Sequence, residues 1–207
     1  MAVSYKFISK IYRSIDFFYF KKNSPRLILL DKIPNGDYRI LEIAIGTSEN
    51  SIILAKNKPD LKIIGIDLSD EMLKIAKNRI MNENIKNIEL YKMNALDIQF
   101  ETNSIDFIII SLLFHEIPEE MANKILAECK KVLKKDGKII IIEWEFPKKF
   151  FQKLLFLLIK LFEPKEFKNF MKKDLKLYFN KNGLGIKNID YGNYSKVIEL
   201  EKSETST

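Results

Sequence analysis

Two runs constrain the fold more than anything else in this chain: IDFIIIS, ending at Ser111, and KIIIIEW, ending at Trp144. Each is apolar at successive positions, so a strand made from it must be buried on both faces, as the central strands of a parallel sheet are when helices cover both sides. The segments around them alternate in the same sense. Strands are predicted over Tyr38–Ala44, after the turn Pro34-Asn35-Gly36-Asp37, and over Leu61–Ile66, Ile88–Tyr91, Asp106–Ser111 and Lys138–Trp144, the last after a Lys135-Asp136-Gly137 turn. Helices are predicted from Thr47-Ser48-Glu49 onward, over Asp70–Ile80 behind the capping residue Ser69, and over Glu119–Leu133. Leu184–Asp190 and Tyr194–Glu201 supply two more strands. The expected fold is α/β: a Rossmann-like, seven-stranded, mostly parallel sheet with helices on both faces, a leading helix, and a helical insertion after strand five.

A chain of 207 residues is the size of one domain. The expected division is 1–33 for N-terminal cap helices, 38–145 for a ligand-binding body, 146–182 for a helical cover and 184–201 for the last strands. One cysteine, Cys129, allows no internal disulfide, and one histidine, His115, is too few to build a zinc site with it, so no metal is expected. Residues 1–10 have no signal-peptide h-region and no apolar run reaches a membrane span, which points to the cytoplasm. The net charge is +7. Residues 1–30 carry +5 and residues 148–188 carry +8, whereas residues 31–147 carry −4. Twelve of the fifteen phenylalanines lie in residues 1–30 and 146–179. A slightly acidic body is therefore flanked by two basic, aromatic segments.

In parallel sheets of this kind ligands bind at the carboxyl ends of the strands, near the point where strand order reverses. The first candidate is the small-residue turn Glu42-Ile43-Ala44-Ile45-Gly46-Thr47-Ser48, where a ligand can approach the backbone and meet N–H groups at a helix start; such a turn is also common as plain structure. Asp67, ending the second strand, is suited to accept hydrogen bonds from two ribose hydroxyls. Together they indicate a nucleoside-containing ligand. A dinucleotide is disfavoured, because the G-x-G-x-x-G positions read Ala44, Gly46 and Glu49, and Glu49 sets a negative charge where a pyrophosphate would bind. No Walker-type Gly-Lys-Ser/Thr follows the strand either.

The ordered motifs ILEIAIGTSENS, IIGIDLSDEML, MNALDIQFETNSIDFIIISLLFHEIP and LKKDGKIIIIEW resemble those of the class I S-adenosylmethionine-dependent methyltransferases, and within them the group similar to the ubiquinone/menaquinone C-methyltransferases. The resemblance spans residues 38–145. It implies S-adenosylmethionine as cofactor, with Glu42, Ala44, Gly46 and Thr47 along its methionine part, Asp67 on the ribose with Leu68 beside it, Asn94 and Ala95 at the adenine edge, and Ser111 and Leu112 under the methylsulfonium. Tyr12 resembles the tyrosine that covers the cofactor in many relatives. Ala44, Ser48 and Asn94 depart from the family's two glycines and its acid. Asp106 resembles the strand-four acid and suits a structural role equally. His115, with Glu116 beside it at the rim of the site, is the candidate base for an acceptor that must lose a proton, the alternative being a loop histidine bound to backbone or capping the next helix.

Residues 149–163 (KFFQKLLFLLIKLFE) confine their polar side chains to an arc of roughly 100°, so a helix there needs a partner for its broad apolar face. Three readings stand: a lid over a hydrophobic substrate, with Phe150, Phe151 and Leu154 touching the acceptor beside His115; ordinary packing or a dimer contact; or a dip into an anionic membrane surface. A second amphipathic helix is predicted between Pro164 and Gly183, with Phe167, Phe170, Met171 and Tyr178 on one face. The expected function is methyl transfer to a small hydrophobic or amphipathic acceptor. A nucleic-acid methyltransferase is disfavoured, since the basic charge accompanies an apolar helix and no Asn/Asp-Pro-Pro-Tyr/Phe signature follows strand four. The remaining alternative is a protein that holds the cofactor without catalysis.

Overall fold

The computed structural model describes residues 24–146, 165–192 and 195–203. The expected 149–163 helix, and with it Phe150, Phe151 and Leu154, lie outside that range, as does Tyr12. In chain order the elements are α1 (Pro25–Lys32), β1 (Arg39–Ile43), α2 (Glu49–Asn57), β2 (Lys62–Asp67), α3 (Asp70–Asn82), β3 (Ile88–Lys92), β4 (Ile105–Ser111), α4 (Glu119–Val132), β5 (Leu133–Trp144), α5 (Lys165–Met171), α6 (Leu175–Lys181), β6 (Leu184–Tyr191) and β7 (Ser195–Lys202).

One seven-stranded sheet runs β3-β2-β1-β4-β5-β7-β6. The first five strands in that order are parallel; β7 enters antiparallel between β5 and β6. The isoleucine runs behave as their pattern requires. Ile108, Ile110, Ile139 and Ile141 point into a core with Leu126 and Cys129 of α4, Phe170 of α5 and Phe179 of α6. Their neighbours Ile109, Ile140 and Ile142 point into a second core with Leu29 of α1 and Ile52, Leu54 and Ala55 of α2. Because side chains alternate along a strand, consecutive isoleucines serve both layers at once.

Helix starts follow local chemistry. The Ser69 hydroxyl accepts from Met72 N–H at 3.2 Å and caps α3, as its sequence predicts. Two expectations are corrected. The helix foreseen between Pro164 and Gly183 is two short helices, because the Asp174 carboxylate accepts from Leu177 N–H at 3.0 Å and starts α6 afresh. The Lys135-Asp136-Gly137 turn is instead part of β5, which pairs with Ile105 at Leu133 and with Phe107 at Lys138, so that residues 134–137 bulge opposite Asp106. Gly137 is there for space: a Cβ would sit 2.7 Å from Leu133 Cδ1 and 2.9 Å from the Asp106 carbonyl oxygen.

Asp106 itself accepts from Arg39 N–H at 2.9 Å and from Lys134 Nζ at 2.7 Å. It lies at the amino end of β4, the side of the sheet opposite the strand carboxyl ends, which favours the structural reading of this acid. Among the described residues no helix is long and apolar enough to cross a membrane.

Candidate active site

The order β2-β1-β4 places the reversal of strand order between β1 and β4, which lead to neighbours on opposite sides. The register sets Ile43 beside Ile66 on one side and Ile110 on the other, so the segments following these strands emerge along one edge. Sequence-predicted residues Ala44, Gly46, Thr47, Asp67, Leu68, Ser111 and Leu112 are all brought to that edge by this parallel register.

The turn from β1 into α2 is wound left-handed at three positions, Ala44 (φ 52°), Gly46 (φ 54°) and Ser48 (φ 64°). Glycine adopts this conformation without steric cost, whereas alanine and serine do not. The turn geometry therefore persists at both positions where glycine is replaced. A Cβ at Gly46 would meet only the Ala44 carbonyl oxygen, at 3.9 Å, so the backbone is open on that side. Asp67 is fastened to the turn: Oδ2 accepts from Gly46 N–H and Oδ1 from Ser69 N–H, both at 2.9 Å. Each carboxylate oxygen keeps a further lone pair for a ligand. Leu68, 62% exposed, presents an apolar side chain beside it.

Glu42 does not line this edge openly. It is buried under α2, where Oε1 accepts from Asn50 Nδ2 at 2.8 Å and Oε2 accepts a short hydrogen bond from Ser51 Oγ. Burial raises its carboxyl from an ordinary 4.5 to about 7, the two side-chain hydrogen bonds and the charge of Arg26 opposing the rise. Asn50 and Ser51 were not foreseen; polar residues at buried positions in the first turn of α2 are the signal that reveals them. Asn94 is exposed and closes its own turn, accepting from Leu96 N–H at 3.0 Å, with Ala95 half-buried next to it.

His115 departs most from expectation. It is not a rim residue: its exposure is 1%, and Nδ1 lies 2.7 Å from Oε2 of Glu143, whose own exposure is 0%. Glu116, its neighbour in sequence, has its carboxylate 3.9 Å from Nε2 and its side chain half in solvent. The other oxygen of Glu143 accepts from Phe114 N–H at 2.8 Å. The imidazole meets the rings of Trp144 and Phe167 edge-on, with centroids 6.4 and 5.7 Å away. Glu143 was missed, although a carboxylate inside the run KIIIIEW is the anomaly that marks it. A cavity of about 210 Å³, lined by neither His115 nor Glu143, opens between the start of α4 and helices α5 and α6, with Phe114, Ile117, Phe170 and Tyr178 among its walls together with the polar Glu119, Glu166, Asn169 and Lys173.

Comparison with known proteins agrees with this architecture. Residues 40–137 match a methyltransferase domain family. The chain is 29% identical over 128 residues to a demethylmenaquinone methyltransferase of Listeria welshimeri, covering 61% of this chain and 52% of that protein. It thus spans about half the length of the curated relatives it matches. In fold it is similar to a SAM-dependent methyltransferase from Aquifex aeolicus, with a TM-score of 0.73 at 22% identity over 93% of this chain and 96% of that one. It is also similar to phosphoethanolamine N-methyltransferase 2 of Haemonchus contortus in complex with S-adenosyl-L-methionine, with a TM-score of 0.63 at 19% identity over 84% of this chain and 40% of that one. The matched methyltransferase domain, the ordered motifs and the sheet order together support a class I S-adenosylmethionine-dependent methyltransferase.

Proposed function

We propose that the protein transfers a methyl group from S-adenosylmethionine to a small, hydrophobic acceptor with a quinone-like ring. The observation that carries the cofactor half is Asp67, held by two backbone N–H groups against the open Gly46 turn with lone pairs to spare. Two ribose hydroxyls suit that carboxylate, the Ala44–Thr47 backbone suits the methionine part, and exposed Leu68 with Asn94 and Ala95 suits the two faces and the edge of adenine. Ser111 and Leu112, half-buried at the end of β4, suit the neighbourhood of the sulfonium. Bound there, the cofactor supplies an electrophilic methyl carbon, so the chain has mainly to orient the acceptor and exclude water. The likeness to a demethylmenaquinone methyltransferase supports the quinone-like acceptor, and the cavity beside Phe114 offers mixed walls, with Phe114, Ile117, Phe170 and Tyr178 for a ring and Glu119, Asn169 and Lys173 for its polar substituents.

An acceptor that gains a methyl on carbon or oxygen loses a proton, and His115 is the side chain we assign to receive it. The basic, apolar residues 149–163 suit a cytoplasmic enzyme that collects an apolar acceptor at a membrane surface. Binding of S-adenosylhomocysteine measured by calorimetry tests the reading: wild type should bind at micromolar concentration, and Asp67→Ala should bind about tenfold or more weakly, one or two charge-assisted hydrogen bonds being lost. Equal affinity in the variant removes Asp67 from the ribose role. Binding of NAD in place of the methyl-donor product overturns the proposal.

A further inference from the structure

Buried ionisable pairs are poor stabilisers, because withdrawing both groups from water costs about as much as their attraction returns; apolar residues of similar size often do as well. The His115–Glu143 pair is nonetheless enclosed almost completely, on the side of the sheet where the ligand edge lies. Its geometry is unequal: a carboxylate oxygen stands 2.7 Å from Nδ1 and another 3.9 Å from Nε2. Glu143 meets Nδ1 of the imidazole, not Nε2, and it cannot swing away, since its second oxygen is held by the backbone N–H of Phe114, the residue preceding the histidine. Trp144 and Phe167 border the ring. Of the other charged groups nearby, the half-exposed Glu116 reaches Nε2 only at 3.9 Å, beyond hydrogen-bond distance, and Glu145 pairs with Lys196 at 3.4 Å. Lys196, register partner of Glu143 across β5 and β7, lies 5.9 Å from the Phe170 ring centroid.

We infer that Glu143 is a positioning residue which holds His115 in the tautomer protonated on Nδ1, making Nε2 the proton acceptor of the methyl-transfer step. This rests on the proposed function for the identity of the reaction, though not for the tautomer. In that step the methyl carbon–sulfur bond breaks with its electron pair left on sulfur, and the bond from acceptor to methyl carbon forms from the acceptor's own electron pair. The proton the acceptor sheds goes to Nε2. The resulting imidazolium donates to a carboxylate already in place, so its charge is met without rearrangement. Glutamate is suited to this because it is acceptor-only when ionised; glutamine in the same place can donate its amide N–H to Nδ1 while its oxygen keeps the Phe114 N–H, and so selects the opposite tautomer.

The chain has a single histidine, so its ring nitrogens can be read without overlap. In protein labelled with ¹⁵N-histidine at about pH 8, where an ordinary imidazole is neutral, the wild type should show the proton on Nδ1 and an unprotonated Nε2. Glu143→Gln should move the proton to Nε2. With a short-chain demethylated naphthoquinone as the acceptor probe, it should also lower kcat by about 10²- to 10⁴-fold, in line with tautomer loss in other histidine–carboxylate pairs, while S-adenosylhomocysteine affinity stays within about threefold. A wild-type ring protonated on Nε2, a tautomer unmoved by Glu143→Gln, or a kcat within about threefold of wild type overturns the inference. Should Glu143→Gln not fold, the wild-type spectrum decides by itself. Failure of the methyl-transfer reading would appear separately, as absent cofactor binding with the tautomer unchanged.

Discussion

Replacing Glu42 by glutamine should remove a pH dependence from the stability of the fold. In the folded chain the Glu42 carboxyl titrates at about 7, against an ordinary 4.5, because burial beneath α2 disfavours the charged form more than Ser51, Asn50 and Arg26 favour it. A proton held more tightly in the folded than in the unfolded chain stabilises the fold, so this contribution is fully present below about pH 4.5. It is lost as the pH rises to about 7 and is constant above. Its size follows from the displacement of the carboxyl: about 3 kcal/mol at about 1.4 kcal/mol per pH unit. Glutamine has nearly the same shape and can still accept from one of the two donors, but it cannot ionise. Urea unfolding of both ligand-free proteins at pH 5 and pH 8, followed by circular dichroism, gives the difference directly. Other titrating groups, including Glu199, whose carboxyl is held below the usual range despite burial by Lys138 and Lys32, are common to both proteins and cancel. The stability of Glu42→Gln relative to wild type should rise by about 2–3 kcal/mol between the two pH values. A rise under about 0.5 kcal/mol would mean that Glu42 does not titrate in that window, and the reasoning from burial would be wrong.

Two other perturbations probe the backbone. Ala44→Gly should raise stability by about 0.5 kcal/mol, since the left-handed conformation at φ 52° costs alanine about 1–2 kcal/mol and the greater freedom of unfolded glycine takes back about 0.4–1 kcal/mol. Thermal unfolding should show a midpoint about 1–2 °C higher, and a clear fall in the midpoint would show that the turn needs the methyl group. Gly137→Ala should lower stability by about 1–3 kcal/mol, because a Cβ there overlaps both Leu133 and the backbone of Asp106. An unchanged urea midpoint would show that the β5 bulge yields without strain.

Much of the fold was legible because it depends on short-range pattern. The isoleucine runs of β4 and β5 announce two-faced burial, Ser69 announces a helix start, and Gly46 followed by Thr47 and Ser48 announces the turn at the strand end. Errors arose where a local signal had two physical outcomes. Lys135-Asp136-Gly137 has the composition of a turn, yet Gly137 serves close packing against Leu133 within a bulged strand. Asp174 lies inside an amphipathic pattern, and only its hydrogen bond to Leu177 N–H makes it a cap that splits the helix.

The sequence by itself determined the layered α/β architecture, the strand-end edge proposed to bind the cofactor and the acid, Asp67, that stands on it, because periodicity, turn composition and strand-end position are properties of neighbouring residues. Only the tertiary structure decided who accompanies whom. Glu116 adjoins His115 in the chain, but Glu143, 28 residues away, is its partner, and the parallel register of β4 against β5 is what delivers it. Glu42, expected along the ligand, is turned under α2 toward Asn50 and Ser51. Strand direction and helix placement set the side to which each carboxylate points, and sequence spacing carries no information about contacts made across strands.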